Sequence, residues 1–570
     1  MMTSDRATFE VQVMRNGRWI SSSVLPKQDD ALASAQRQFM DRKCEGVRVV
    51  RNWERSDGLT DETEVFKRTR NVEEEDNISV AQIDKAPPPC VEVEEYYAFD
   101  SRNLINRLFR GYLDQAFLTP TELLHDSREL KRLQDKGTLV TTAVDRVSTL
   151  QSRQTGGDSK QRRDEIFKAV EEMSFRLRKV EKMALPQMQG SFSNIFTQLP
   201  KGEEDRDFLA LIVLTKSLLN IRNWAGKLEM LCKLALDEDG KNNDAHAIEI
   251  LDQVIADVLG SNIVQDILGW QPNLGTAIIR ILDLADGQLP DTANDAGESS
   301  GLLNSLLGQG RLPISKACLV DRAHRQLRST QPLSRAEPSK EQDTFKAIVE
   351  RVLLPSGFYD GAETADALTA RYSRMLEQGG AVGRKNAITG TFRTMPDKVA
   401  GIIYLTEIMK LESTAELMDV IQERFEDILF VRHISDLVIK GLSGRDRLAR
   451  ATGAFIAVDR CPLDAGLKQK VIERIDAIIN RFLVDESILE KMNDPNTHLR
   501  DRANRLINFC ASGVLPPKGK ARSNAVERVV ELLRQPNFEM AYIEGITDAS
   551  QAQQALRTFH QLLVKAGLKG

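Results

Sequence analysis

The chain has 570 residues, with 41% hydrophobic, 28% charged and 6% aromatic side chains and a formal net charge of −5. That balance suits a folded, water-facing protein and argues against disorder; the length allows about three or four domains, fewer if much of it is one helical array. Six scattered cysteines (Cys44, Cys90, Cys232, Cys318, Cys461 and Cys510) show no CxxC or other metal spacing, which argues against a disulfide framework and fits a reducing compartment.

The charge is unevenly spread. Residues 1–70 carry 13 basic and 11 acidic side chains, whereas residues 71–100 carry nine acidic ones and a single lysine, Lys85. The rest is close to neutral, so one short stretch accounts for the acidic balance. The opening Met1 to Arg6 is polar and lacks the apolar core of a secretory signal. The longest apolar run, Phe208 to Leu214, falls far short of the ~20 residues a bilayer span needs. A cytoplasmic protein with no membrane span is expected.

In chain order, Phe9, Val11 and Val13 alternate with polar residues, the period of a half-buried strand. Asn16-Gly17 then signals a hairpin turn, and Trp19-Ile20 begin the return strand. Asp29-Asp30 open a helix with Ala31, Leu32, Ala35, Phe39 and Met40 on one face. Val47, Val49 and Trp53 alternate again, and a strand over Glu64–Lys67 pairs back across Ser56-Asp57-Gly58. The expectation is a ββαββ module in residues 1–70. Residues 71–100, with Glu73-Glu74-Glu75-Asp76 and Pro87-Pro88-Pro89, read as an acidic, proline-containing solvated linker.

Beyond residue 100 the period is helical. Leu104, Ile105, Leu108 and Tyr112 share a stripe, and Thr119-Pro120-Thr121-Glu122 is a strong helix start. Ser339-Lys340-Glu341-Gln342 repeats that logic ahead of Phe345, Ile348, Val349, Val352 and Leu353. Similar faces run from Leu417 to Leu429 and from Leu467 to Phe482. Residues 286–312, rich in Gly, Asp, Ser and Asn, read as a connection between helical regions at 101–285 and 313–570. No fixed repeat period emerges. The fold class expected is mainly α: a small α+β module followed by a large irregular helical-repeat or multi-bundle array.

Motifs with a chemical meaning are few. Glu122 and His125 form one ExxH pair, but a carboxylate-bridged di-iron bundle needs two such pairs plus two further glutamates. Asp237-Glu238-Asp239-Gly240 fails the calcium-loop register, since positions six and twelve are Asn242 and Ile248. The glycine-rich stretch Gly379 to Gly390, carrying Arg384 and Lys385, reads as an interhelical loop able to turn amides toward an anion. It lacks the P-loop spacing.

Basic residues gather late. Arg445, Arg447 and Arg450 fall in one cluster, and Arg500, Arg502, Arg505, Lys518, Lys520 and Arg522 in another. The loop Pro516 to Arg522 reads as exposed. The function expected is a helical scaffold or regulatory adaptor binding protein partners, with no cofactor, no metal and no catalytic residue implied. A nucleic-acid or nucleotide-responsive regulator using these cations is the alternative, although the pI is about 5.9 and no aromatics interleave them. An enzyme whose site assembles only in the fold comes third. No oligomeric state follows from the sequence. Opposite charge suggests that the acidic 71–100 stretch could fold back onto the basic 431–528 region.

Overall fold

The computed structural model describes residues 7–568 apart from 16–17, 40–43, 45, 55–59, 70–78, 84, 201–204, 239–243, 291–295, 336 and 356. The chain forms two compact units, Met1–Gln82 with Lys136–Ala143, and Ile83–Asp135 with Val144–Gly570. The fold is mainly α, with a four-stranded antiparallel sheet near the N-terminus. Among the described residues no helix is long and apolar enough to cross a membrane.

The first unit is the expected ββαββ module. β1 (Ala7–Arg15), β2 (Arg18–Leu25), α1 (Gln28–Phe39), β3 (Gly46–Glu54) and β4 (Thr60–Thr69) build a sheet of order β2-β1-β3-β4. Alternation decides its buried face: Phe9, Val11 and Val13 of β1 and Val47 and Val49 of β3 pack on Ala31 and Ala35 of α1. The Asn16-Gly17 turn and the Ser56-Asp57-Gly58 connection lie outside the described residues, as does the acidic run Glu73 to Asp76.

The second unit begins inside the stretch read as a linker, and here the structure corrects that reading. Ile83 and Ala86 are buried, and Val93–Tyr97 form a 3-10 turn. Three helices then follow, α2 (Phe99–Leu108), α3 (Arg110–Ala116) and α4 (Pro120–His125), and after them α5 (Ser127–Gln134), α6 (Leu139–Thr155) and α7 (Ser159–Val180). Gln151 of α6 donates to the Pro87 carbonyl at 2.9 Å, and Arg162 of α7 donates to the Cys90 carbonyl at 3.0 Å. Arg176 pairs with Glu94 at 3.1 Å. Val93, Tyr96, Tyr97 and Phe99 supply apolar surface that docks this half of the stretch on the core, despite its acidic composition. The acidic Glu94 therefore meets α7 and not the basic 431–528 region.

α8 (Phe192–Gln198), α9 (Arg206–Leu218), α10 (Trp224–Asp237), α11 (Asp244–Leu259), α12 (Ile263–Leu268) and α13 (Leu274–Ala285) follow. The Gly/Asp/Ser/Asn-rich stretch 286–312 then holds α14 (Glu298–Gly308), which buries Leu303, Leu306 and Leu307 and packs on α10. One continuous hydrophobic core runs from Leu124 to Ala566, shared by 101–285 and 313–570.

From α15 (Pro313–Leu327) onward the helices form two rows. After α16 (Glu341–Val352), one row holds α17 (Gly361–Met375), α19 (Lys398–Ile408) and α22 (Gly444–Arg460), each packed on its predecessor. The other holds α18 (Gly380–Thr394), α20 (Met418–Leu429), α23 (Ala465–Asp485) and α26 (Lys520–Leu533), again packed in succession. Short α21 (Ile434–Leu437) and α24 (Ile488–Met492) connect the rows, and α25 (Leu499–Ala511), α27 (Phe538–Ile543) and α28 (Ala549–Lys565) complete the chain. The stripes at Leu417–Leu429 and Leu467–Phe482 are the buried faces of α20 and α23.

Buried carboxylates join these helices. Asp252 of α11 accepts the Ile314 and Ser315 amides at 2.7 and 2.8 Å, and Asp476 of α23 accepts the Lys520 and Ala521 amides at 2.6 and 3.2 Å. Asp257 accepts the Thr121 amide at 3.2 Å. Each carboxylate satisfies orphan N–H groups at the start of another helix and sits where the helix dipole favours negative charge.

Two local expectations fail for definable reasons. Gly379 to Gly390 is not a loop: Gly380–Thr394 is α18. A Cβ on Gly390 would lie 2.1 Å from the Tyr372 ring, so that glycine serves close packing of α17 on α18 and not loop freedom. Ser339 does not cap α16, because Pro338–Lys340 already form a 3-10 turn. Glu341 instead accepts the Leu333 and Ser334 amides at 2.8 and 2.7 Å.

Candidate partner-binding groove

The cations singled out in the sequence separate into three groups. Arg384 and Lys385, on α18, are engaged in ion pairs with Asp366 at 2.9 Å and Asp419 at 2.6 Å. They do not form the anion-binding loop expected of them. Arg450 grips Asp397 with Nε and Nη2 at 2.9 and 3.0 Å, and Lys518 pairs with Asp459 at 2.8 Å. Arg500 donates to the Tyr542 and Glu544 carbonyls, both at 2.6 Å. Arg522 donates to the Ala566 carbonyl at 2.5 Å and to the Cys510 carbonyl at 3.4 Å, tying the ends of α28 and α25 together. These six cations hold the array.

The Pro516 to Arg522 segment is likewise less free than its composition implies. Pro516 is buried, and at Gly519 the chain adopts φ +114°, where a Cβ would lie 2.5 Å from the Asp476 carboxyl carbon. Glycine is required there because the backbone must pass the carboxylate that caps α26. Arg447 and Arg502 form a second group: both are half-buried, and their Nε atoms find no hydrogen-bond partner. Lys520 is exposed and contributes its backbone amide to Asp476.

Arg445 and Arg505 form the third group, and the fold brings them to one place. α22 and α25 are not among the helix pairs in extensive contact, whereas α23 and α26 behind them are. The row therefore opens into a groove of about 540 Å³ between the start of α22, α24, the end of α25 and the end of α28. Its floor is apolar: Leu448, Ile488, Met492, Phe509 and Val514. Arg445, Arg505 and Lys565 stand on three different helices around it. Among the described residues no carboxylate lines the groove, and none of the three cations has an ion-pair partner.

Local sequence sets each wall. Ser443 caps α22, its hydroxyl accepting the Asp446 amide at 3.2 Å, which fixes Arg445 in the first turn. Arg505, Asn508, Phe509 and Ser512 fall at i, i+3, i+4 and i+7 on one face of α25, while Ala503, Leu506, Ile507 and Cys510 face the core. The turn after α25 uses Gly513 at φ +74°, and Thr452 donates to the Val514 carbonyl at 2.7 Å, anchoring this end of the groove on α22. Sequence reading missed Lys565, whose position in the last turn of a helix reads as dipole compensation. Arg445 and Arg505 were singled out by their basic clusters, and the unread stripe on α25 is the sequence signal that joins Arg505 to the groove's apolar floor.

Charge behaves differently at the other end of this unit. Arg102 is buried and donates to Thr121 Oγ1 and Gln253 Oε1, both at 2.9 Å, and lies 3.7 Å from Asp257. Thr121 donates its hydroxyl to Asp257 at 2.5 Å. Glu122 completes the capping box with Thr119 and is paired with buried Lys227, which also donates to the Phe117 carbonyl at 2.6 Å. Burial raises the Glu122 carboxyl and lowers the Lys227 ammonium from their ordinary values, and each charge counters that drift in the other. His125 Nδ1 donates to the Thr121 carbonyl at 2.7 Å, and burial pushes its pKa down to about 3. The ExxH pair is thus a structural junction, with its glutamate held by a lysine.

Compared with protein-family models, with curated proteins and with solved structures, the chain has no match.

Proposed function

We propose that this chain is a helical scaffold or regulatory adaptor that binds a protein partner in the groove between α22, α24, α25 and α28. What supports the reading is a groove with an apolar floor ringed by cations that, among the described residues, no carboxylate neutralises, whereas another cavity of similar volume, beside the start of α19, is lined by Asp397 and Asp436. Gaps between helices of such arrays suit peptide segments, which contribute apolar anchors and complementary charge. Against the nucleic-acid alternative stands the engagement of Arg384, Lys385, Arg450, Arg500, Lys518 and Arg522 in internal pairs, which leaves few cations to neutralise phosphates.

The test is capture of partners on the immobilised full chain at physiological salt, alongside an Asn508→Trp variant that fills the groove from an exposed helical position. A partner retained by the parent and lost by the variant supports the reading. Partners that ignore the substitution, or no capture at all, refute it.

A further inference from the structure

We infer that the occupant of the groove is an acidic segment of a partner protein, with apolar side chains flanked on both sides by carboxylates. The inference rests on reading the groove as a docking site and adds the chemistry of what docks.

The argument is one of complementarity. Half-buried Ile488, Met492 and Phe509, backed by the buried Leu448 and Val514, present carbon surface that gains by being covered, at roughly 25 cal/mol per Å² removed from water. Met492 and Phe509 adapt to irregular apolar shapes, the one by its flexible thioether and the other by its flat ring. An occupant that supplied only apolar groups would strip water from Arg445, Arg505 and Lys565 and leave them without partners. Burying an unpaired charge in this way costs more than the apolar contacts return. Because the cations come from three helices around the floor, an occupant must carry carboxylates on more than one side of its anchor. A guanidinium can also take a carboxylate through two parallel N–H donors, which favours Asp and Glu over neutral acceptors at Arg445 and Arg505. A basic segment would add repulsion to unpaired burial and is excluded on both counts.

The experiment is a selection from a library of short random peptides displayed against the full chain, repeated on Arg445→Glu/Arg505→Glu and on Asn508→Trp. Both arginines are exposed, so melting of the double variant should match the parent. Peptides enriched on the parent are expected to be net acidic with at least two large apolar residues. Their affinity should fall at least about tenfold on the double variant, a size typical of close charge pairs. Replacing their acidic residues by lysine should restore binding to that variant.

Peptides that need the groove, as shown by loss on Asn508→Trp, yet are neutral or basic would overturn the acidic assignment and leave the docking site standing. Peptides that bind all three proteins equally, or a library that yields none, would overturn both. An oligo-dT strand that displaces the peptides, and is itself lost on the double variant, would reassign the groove to nucleic acid.

Discussion

The junction at α2, α4, α10 and α11 and the groove at α22, α25 and α28 use the same residue types to opposite ends. At the junction Arg102, Lys227, Glu122 and Asp257 are almost wholly removed from water, and each touches an opposite charge or a helix terminus. Around the groove Arg445, Arg505 and Lys565 stay in water and, among the described residues, no carboxylate lines the cavity they surround. The first arrangement specifies which helices meet, because a wrong pairing would leave a charge buried alone. The second leaves cations that water solvates and that the proposed occupant would pair. Burial and pairing, not the count of charges, separate the charges that build the array from those left at its surface.

Substitutions can break that contrast. The largest effect is expected at Lys227: Lys227→Met leaves the Glu122 carboxylate buried without its partner and should cost about 3–5 kcal/mol, read as a lower unfolding midpoint in urea. Adding Glu122→Gln should recover much of that loss, and a double variant as unstable as the single one would show that the pair's charge is not what matters. Next comes Gly519→Ala, where φ +114° and the Asp476 carboxylate both resist a Cβ; about 1–3 kcal/mol should be lost. An unchanged melting temperature would show that this turn relaxes freely.

Acid should sharpen the comparison further. The folded pKa of His125, about 3, lies below its ordinary 6.5, so the unfolded chain takes up the proton first. The contribution of this group is therefore intact above pH 6.5 and falls by about 1.4 kcal/mol for each pH unit below it. His125→Phe keeps a ring against Tyr97 and Phe208, and a melting series from neutral to mildly acid pH should show a shallower loss in that variant. Equal slopes would remove His125 from the account. The smallest effect is expected at the groove, where Arg505→Glu should change stability by no more than about 0.5 kcal/mol while altering binding. A large fall in melting temperature would move Arg505 into the structural group.

The ββαββ module was readable in detail because its signals are local: alternation in Phe9, Val11 and Val13, and a helix whose Ala31 and Ala35 point to the sheet. Thr119-Pro120-Thr121-Glu122 was equally readable, since a capping box closes within four residues. Gly379 to Gly390 misled because glycine has two uses, and which one applies depends on Tyr372 from the preceding helix. The basic clusters misled in the same way. Asp397, Asp459, Asp366 and Asp419, which neutralise four of those cations, lie between 18 and 59 positions away.

The amino-acid order alone therefore determined the elements, through periods of two and 3.6 and through caps formed a few residues apart. Only the tertiary structure decided which charges are spent on neighbours and which face water. Ion pairing is a matter of distance in space, and the array sets that distance by packing helices whose sequences carry no record of each other. Arg450 and Arg445 sit five positions apart on one helix, yet one holds Asp397 and the other rims an open groove.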